Sequence, residues 1–319
     1  MATSFGATDI DVEISEVGPR DGLQNTSIFM PTAAKQAWIA AEAAAGVREI
    51  EVCSFVSPKL IPQFADADEV ARHALGLPGL KVTALVPNLK GAERAFAAGI
   101  HKIGLPVSVS RGHSLANVRK TPDEQVAELR RIVELRDAQE DGYRPAVSGA
   151  LSTAFGCSID GAVDEREVVR LAVALVEAGA DDVSLADTVG YANPAQVKRL
   201  VAAVRREVGD RLGGVHLHNT RGTGLANALA AIEAGITALD SSLGGLGGCP
   251  YAPGASGNVV TEDLVFMLDA MGLRTGIDLE KLLETRRLVE AALPGAEFHG
   301  NLALAGLPKG YAPGARAAA

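Results

Sequence analysis

The chain has 319 residues, 47% hydrophobic and 22% charged, with a formal net charge of −9. That balance suits a globular protein able to bury a full core, and its acidity excludes a broad basic footprint for DNA or RNA. Aromatic residues make up only 4%, too few for a base-stacking surface on single-stranded nucleic acid. Cys53, Cys157 and Cys249 stand far apart with no CxxC pair, which disfavours a disulfide framework or a zinc knuckle. No basic residue precedes Arg20 and no apolar run approaches membrane-spanning length. A transit or signal peptide and a membrane partner are therefore not expected, and a cytoplasmic location is.

Residues 10–17 alternate apolar and acidic and run into Gly18-Pro19-Arg20-Asp21-Gly22, a strand and a turn. An Ala-rich helix follows over 31–45 and is stopped by Gly46, with a strand over 48–53. The pattern continues with helix 66–75, strand 80–86, helix 89–98 and strand 102–107. Residues 108–120 read as a polar loop leading into a long helix over 121–139. Then come strand 146–152, helix 165–178, strand 182–185, helix 194–208, strand 214–218, helix 225–234 and strand 238–242. A Gly-rich loop and a helix over 261–270 complete the alternation, and 278–292 is one more helix. A strand followed by a helix eight times over implies a parallel sheet and an α/β fold, a (β/α)8 TIM barrel with a short C-terminal helical extension. A doubly wound open sheet is the runner-up. The expected division is a catalytic barrel over 1–285 and an extension or cap over 286–319, partly flexible and rich in Gly, Pro and Ala.

In such a barrel the loops after the strands share one rim, where active sites sit. The polar residues fall at those strand ends: Glu16, Arg20 and Asp21, then Glu51 and Ser54, then Ser108, Ser110, His113 and Asn117. Ser152, Thr153, Asp187, Thr188, His216, His218, Cys249 and Asn258 follow in later loops. His216 and His218 are two apart on one strand, so both imidazoles face the same side. No acid flanks the pair closely, so any oxygen ligands must come from elsewhere in the chain. Asp21, His216, His218 and the Asn258 carbonyl would make a mixed nitrogen and oxygen set with room for water and substrate. Such a set suits Mg²⁺ or Mn²⁺, the imidazoles tilting it toward Mn²⁺ or another transition ion. Glu51 or Asp187 is expected to orient a histidine from behind. Against this stands the plainer reading of strand-end histidines and acids held in ordinary hydrogen bonds and salt bridges.

Several stretches resemble hydroxymethylglutaryl-CoA lyases: Glu16-Val17-Gly18-Pro19-Arg20-Asp21-Gly22-Leu23-Gln24-Asn25, Ser54-Phe55-Val56-Ser57-Pro58-Lys59 and Pro87-Asn88-Leu89-Lys90-Gly91. The Gly244-Gly245-Leu246-Gly247-Gly248-Cys249-Pro250-Tyr251-Ala252 loop, Gly257-Asn258 and Thr261-Glu262-Asp263-Leu264 complete the resemblance, which runs from about residue 10 to 283. It implies a barrel shared with isopropylmalate and homocitrate synthases. It also implies a divalent-metal retro-Claisen cleavage of a 3-hydroxy-3-methylacyl-CoA to acetyl-CoA and a keto acid. By that resemblance Asp21, His216, His218 and Asn258 match the metal ligands. Arg20 matches the residue that steadies the enolate oxygen, Cys249 the catalytic cysteine, and Glu51 an acid near the metal. Asp187 and Glu262 match other polar positions of the site. Either His216 or Asp21 would take the hydroxyl proton, and Cys249 would return one to the enolate.

Three loops depart from the family pattern: His218-Asn219-Thr220-Arg221-Gly222, Ser152-Thr153-Ala154-Phe155-Gly156-Cys157-Ser158-Ile159, and Ser110-Arg111-Gly112-His113-Ser114-Leu115-Ala116-Asn117. Asn117 with Arg119 and Lys120, and also Arg111, are the expected holders of the CoA phosphates. Arg221 is expected either to grip a substrate carboxylate or to make a surface salt bridge. The expected substrate is hydroxymethylglutaryl-CoA, cleaved to acetyl-CoA and acetoacetate. Citramalyl-CoA, a Claisen-type synthase on the same barrel and an inert acyl-CoA-binding barrel are the rivals. The partner is a small acyl-CoA, and assembly into a homo-oligomer is left open.

Overall fold

The structure, a computed structural model, describes residues 10–139, 142–247 and 257–311. The parallel strands β1 (Glu13–Glu16), β2 (Glu49–Ser54), β3 (Lys81–Leu85), β4 (Lys102–Ser108), β5 (Ala146–Ser152), β6 (Asp182–Asp187), β7 (Leu212–Leu217) and β8 (Ala238–Ser241) close into one barrel in chain order. Around them lie α1 (Thr32–Ala44), α2 (Ala67–Leu75), α3 (Leu89–Ala98), α4 (Arg111–Val118), α5 (Pro122–Asp137), α6 (Glu165–Glu177), α7 (Pro194–Val208) and α8 (Gly224–Glu233). The helices α9 (Thr261–Ala270), α10 (Leu279–Ala292) and α11 (Leu302–Ala305) follow the last strand. The fold is the expected (β/α)8 TIM barrel. Among the described residues no helix is long and apolar enough to cross a membrane.

One local expectation fails. Residues 108–120 are not an irregular loop, because Ser110 caps α4, its hydroxyl accepting the His113 N–H at 3.1 Å. Two turns of helix with a glycine inside carry too little apolar periodicity to be read from sequence.

Strand alternation decides which side chains meet the helices and which meet the barrel axis. Ile50 and Val52 of β2, Val82 and Ala84 of β3, and Ile103, Leu105 and Val107 of β4 are buried in the apolar core. Their neighbours Glu49, Glu51, Lys81, Thr83, Lys102 and Gly104 line an axial cavity. Barrels of this type usually fill their interior with Val, Ile and Leu. Here the interior is polar and open, and the cavity, about 1250 Å³, continues from the mouth down the axis to Glu13 and Lys81. Its charges are paired across strands: Lys81 with Glu49 at 2.5 Å, Lys102 with Asp182 at 3.1 Å and with Glu49 at 3.9 Å.

Helix α10 runs unbroken through residue 285. Beyond it the chain folds back on α9. The Asp263 carboxylate accepts the Asn301 and Leu302 N–H groups, each at 2.8 Å, and the Tyr311 hydroxyl donates to Asp269 at 2.6 Å.

Candidate active site

Residues Gly18–Gly22 make a single wide helical turn at the end of β1, with the Asp21 N–H on the Val17 carbonyl at 2.6 Å. Gly18 is required there, since a Cβ would stand 2.5 Å from Glu16 Oε1 and 2.7 Å from the Trp38 ring. Glu16 holds the turn from beneath: its Oε1 accepts the Gly18 and Leu243 N–H groups at 2.7 and 3.0 Å, and its Oε2 accepts the Thr261 hydroxyl at 2.7 Å. The turn delivers Arg20 and Asp21 to the mouth of the cavity. Arg20 then donates through Nε to Glu51 at 2.5 Å and through Nη1 to Asp21 at 2.6 Å.

His216 and His218, from β7 and its end, face each other with Nε2 atoms 3.0 Å apart. His218 Nε2 lies 4.0 Å from Asp21 Oδ2, and one ligating atom from each of Asp21, His216 and His218 lies within 4.8 Å of the others. Neighbouring ligands at about 2.1 Å from an octahedral ion are about 3.0 Å apart, so the imidazole pair has the spacing of one octahedral edge. Among the described residues the His218 Nδ1 and the Asn258 Oδ1 are buried without hydrogen-bond partners, atoms left with unmet bonding capacity beside the cluster. The donor set therefore fits a divalent cation. Asn258 is brought to Asp21 by a bridge between its backbone and that of His218. Its Nδ2, rather than its carbonyl oxygen, faces Asp21 Oδ2 at 2.8 Å and also bonds the Leu246 carbonyl at 3.0 Å.

The charges explain how the cluster is poised. Burial alone would raise the Asp21 carboxyl, but Arg20, the two imidazoles and the Asn258 amide hold it well below the usual carboxylate range. Burial pushes His218 down to about 4, with the His216 charge adding to the effect, so it is the neutral partner of the pair. Burial would lower His216 too, yet the hydrogen bond to Asp240 and the Asp21 charge raise it. Burial raises Glu51 against the pull of Arg20.

Behind His216 stands Asp240, its Oδ2 3.1 Å from Nδ1. Neither Glu51 nor Asp187, the acids expected there, occupies that place. Glu51 is engaged with Arg20, and Asp187 accepts the Tyr191 and Ala192 N–H groups at 2.8 and 3.1 Å, holding the loop after β6. Burial pushes the Asp187 carboxyl up to about 6 despite those bonds. Asp240 does not stand out in the sequence because its partnership exists only across strands, His216 registering with Asp240 between β7 and β8. The available signal was the Ala238-Leu239-Asp240-Ser241 alternation, which turns Asp240 to the same side of the sheet as His216.

Asn117, Arg119 and Lys120 line the same cavity with His113. Lys120 Nζ is 2.8 Å from Glu128, so part of its charge is already answered. Arg221 makes no surface salt bridge among the described residues and does not line the cavity. It donates to the Val189 and Gly190 carbonyls, each at 3.0 Å, and stacks 4.5 Å over the Tyr191 ring. Glu262 is wholly buried away from the cavity, paired with Arg286 at 3.0 Å and accepting the Gly244 N–H at 2.9 Å. Cys249 lies outside the described residues.

Comparison with known proteins identifies relatives of the chain and of its barrel. The HMGL-like family profile matches residues 11–289. The chain is 43% identical over 279 residues to the hydroxymethylglutaryl-CoA lyase YngG of Bacillus subtilis, covering 88% of this chain and 92% of that one. It is 40% identical over 291 residues to the mitochondrial hydroxymethylglutaryl-CoA lyase of Mus musculus, covering 91% and 88%. Among solved structures, an HMG-CoA lyase from Acinetobacter baumannii in complex with coenzyme A and 3-methylmalate superposes with a TM-score of 0.88. It is 41% identical and covers 97% of this chain and 99% of that one. A barrel with this mouth and these relatives places the chain in the hydroxymethylglutaryl-CoA lyase family, among the carbon–carbon lyases.

Proposed function

We propose that this chain cleaves 3-hydroxy-3-methylglutaryl-CoA to acetyl-CoA and acetoacetate in the cytoplasm, with Mg²⁺ or Mn²⁺ held by Asp21, His216 and His218 and with Asn258 completing the set once its amide turns Oδ1 to the cation. The observation that carries the reading is the convergence of those three ligating residues beside Arg20 at one mouth of a family barrel. The bound cation would lower the pKa of substrate oxygens beside it.

The chain's own groups supply the rest. A base takes the proton of the tertiary hydroxyl: Asp21 through a carboxylate oxygen the cation leaves free, or His216 if its Nε2 is not given to the cation. The C–C bond breaks, its electron pair passes to the thioester enolate, and the hydroxyl carbon becomes the ketone of acetoacetate. Arg20 stabilises the enolate oxygen, and Glu51 and Asp21 keep its guanidinium from swinging away. A proton delivered to the enolate carbon completes acetyl-CoA; the resemblance assigns that delivery to Cys249. Asn117, Arg119 and Lys120 hold the CoA portion at the rim.

The test is acetoacetate formation from hydroxymethylglutaryl-CoA by the purified protein, titrated with Mn²⁺ or Mg²⁺ and repeated after chelation. Metal-restored cleavage is expected. Absence of cleavage with metal present overturns the reading, and faster cleavage of citramalyl-CoA transfers it to that substrate. Arg20→Gln should lower kcat by about a hundredfold or more while Mn²⁺ still binds. Cys249→Ala should lower turnover and leave Mn²⁺ binding intact.

A further inference from the structure

Across the barrel from β8, the rim residues Asn117, Arg119 and Lys120 belong to α4 and its C-terminal end. That end is built as one piece with the helix. The Arg119 N–H closes on the Leu115 carbonyl at 3.1 Å with Arg119 in the left-handed region (φ 57°), and the Ser114 hydroxyl bonds the Lys120 carbonyl at 2.7 Å. The orientation of the rim therefore follows what fixes the other end of α4, together with the Lys120–Glu128 ion pair at 2.8 Å.

That other end is held from outside the helix, by the loop after β5. Asp160 Oδ2 accepts both the Gly112 N–H and the Ser110 hydroxyl at 2.8 Å. Ser110 Oγ also lies 3.0 Å from Cys157 Sγ, and the Ser110 N–H donates to Thr153 Oγ1 at 3.1 Å. The loop is itself locked: Cys157 and Gly161 exchange backbone bonds at 2.8 and 2.9 Å, and Cys157 Sγ accepts the Ile159 and Asp160 N–H groups at 3.2 and 3.4 Å. Thr153 is kept at φ 58°, a strained conformation for a β-branched residue that the surrounding bonds must maintain. Gly112 makes the approach feasible, because a Cβ there would stand 2.2 Å from Asp160 Oδ1.

We propose that Asp160 is a positioning residue for acyl-CoA binding: it braces the N-terminal end of α4 and so aims Asn117, Arg119 and Lys120 at the CoA portion of the substrate. The proposal rests on the acyl-CoA reading of the site. The carboxylate suits the task, since an anion at a helix N-terminus answers exposed N–H groups and the helix dipole. The Gly112 and Ser110 hydrogen bonds hold its carboxyl below the usual range, so it stays ionised in neutral solution. Asp160 touches no reacting atom, and its loss should act on binding rather than on the chemical step.

The experiment compares Asp160→Ala, Gly112→Ala and the double variant. Each single variant should raise both KM for hydroxymethylglutaryl-CoA and the calorimetric Kd for coenzyme A about fivefold, with kcat within about twofold. Mn²⁺ affinity should not change. The double variant should match Asp160→Ala alone, because the added methyl group then meets no carboxylate. Unchanged coenzyme A affinity in both single variants, or independent, additive losses in the double variant, overturns the brace. Asp160→Asn, which keeps one acceptor oxygen, should fall between the wild type and Asp160→Ala, and it serves if the alanine variant fails to fold. A wild type that binds coenzyme A but cleaves no substrate would count against the proposed reaction and leave the brace to be judged on binding alone.

Discussion

Asp240 does for His216 what no residue near it in the sequence can do. An imidazole with Nδ1 held by a carboxylate presents its Nε2 lone pair outward, the state a cation requires. Asp240→Ala is expected to weaken Mn²⁺ binding about tenfold to a hundredfold, read by the electron paramagnetic resonance signal of free Mn²⁺. Unchanged affinity would show that His216 needs no such support. At this scale the short motifs were legible, because Arg20-Asp21 and His216-x-His218 are neighbours in the chain. The roles of Asp240, Glu51 and Asp187 were not, because each depends on which residue another strand brings opposite.

Among the elements, α1 shows how a helix face misleads. Lys35, Trp38, Ile39 and Glu42 recur at helical spacing and are all buried. Lys35 is answered by Asp66 at 2.8 Å and the Gln63 carbonyl at 2.5 Å. Among the described residues neither oxygen of Glu42 has a well-formed hydrogen bond, the Trp38 side chain alone exerting a weak opposing pull. Burial, reinforced by the Glu16 charge, raises its carboxyl well above the ordinary value of 4.5. The folded protein therefore keeps a proton that the unfolded chain releases above about pH 4.5. Stability is full below that pH and falls as pH rises toward the folded value. Glu42→Gln should remove the loss. Its melting temperature should equal that of the wild type near pH 5 and exceed it near pH 8, with a smaller pH dependence throughout. Equal melting curves at both pH values would mean that Glu42 is not protonated in the fold.

For the whole molecule, the unusual feature is an apolar core confined to the layer between sheet and helices, with an ionic axis inside the barrel. Lys102 joins β4 to β2 and β6 through Glu49 and Asp182, and those two carboxylates raise its pKa against the effect of burial. Lys102→Met would leave Asp182 without its cation and Glu49 with Lys81 alone. Removing one partner of a buried pair is strongly destabilising, and water in the open axis moderates the effect, so a loss of about 2 kcal/mol in urea unfolding is expected. Unfolding at wild-type urea concentrations would show that the axis contributes nothing to holding the barrel closed.

The alternation of Glu49-Ile50-Glu51-Val52, repeated in strand after strand, determined by itself that the sheet would have one apolar and one polar face. With the recurring helices, that pointed to a barrel with its chemistry at one mouth ahead of a doubly wound sheet, because strand periodicity and helix punctuation are local properties of the chain; closure itself came from the structure. Tertiary structure alone decided that His216 meets Asp240, that the Asp160 loop grips α4, and that Glu42 is sealed from water. Those contacts join residues between 24 and 50 positions apart or depend on what packs over a helix face. Their energies arise only when strand register and helix packing bring the partners together.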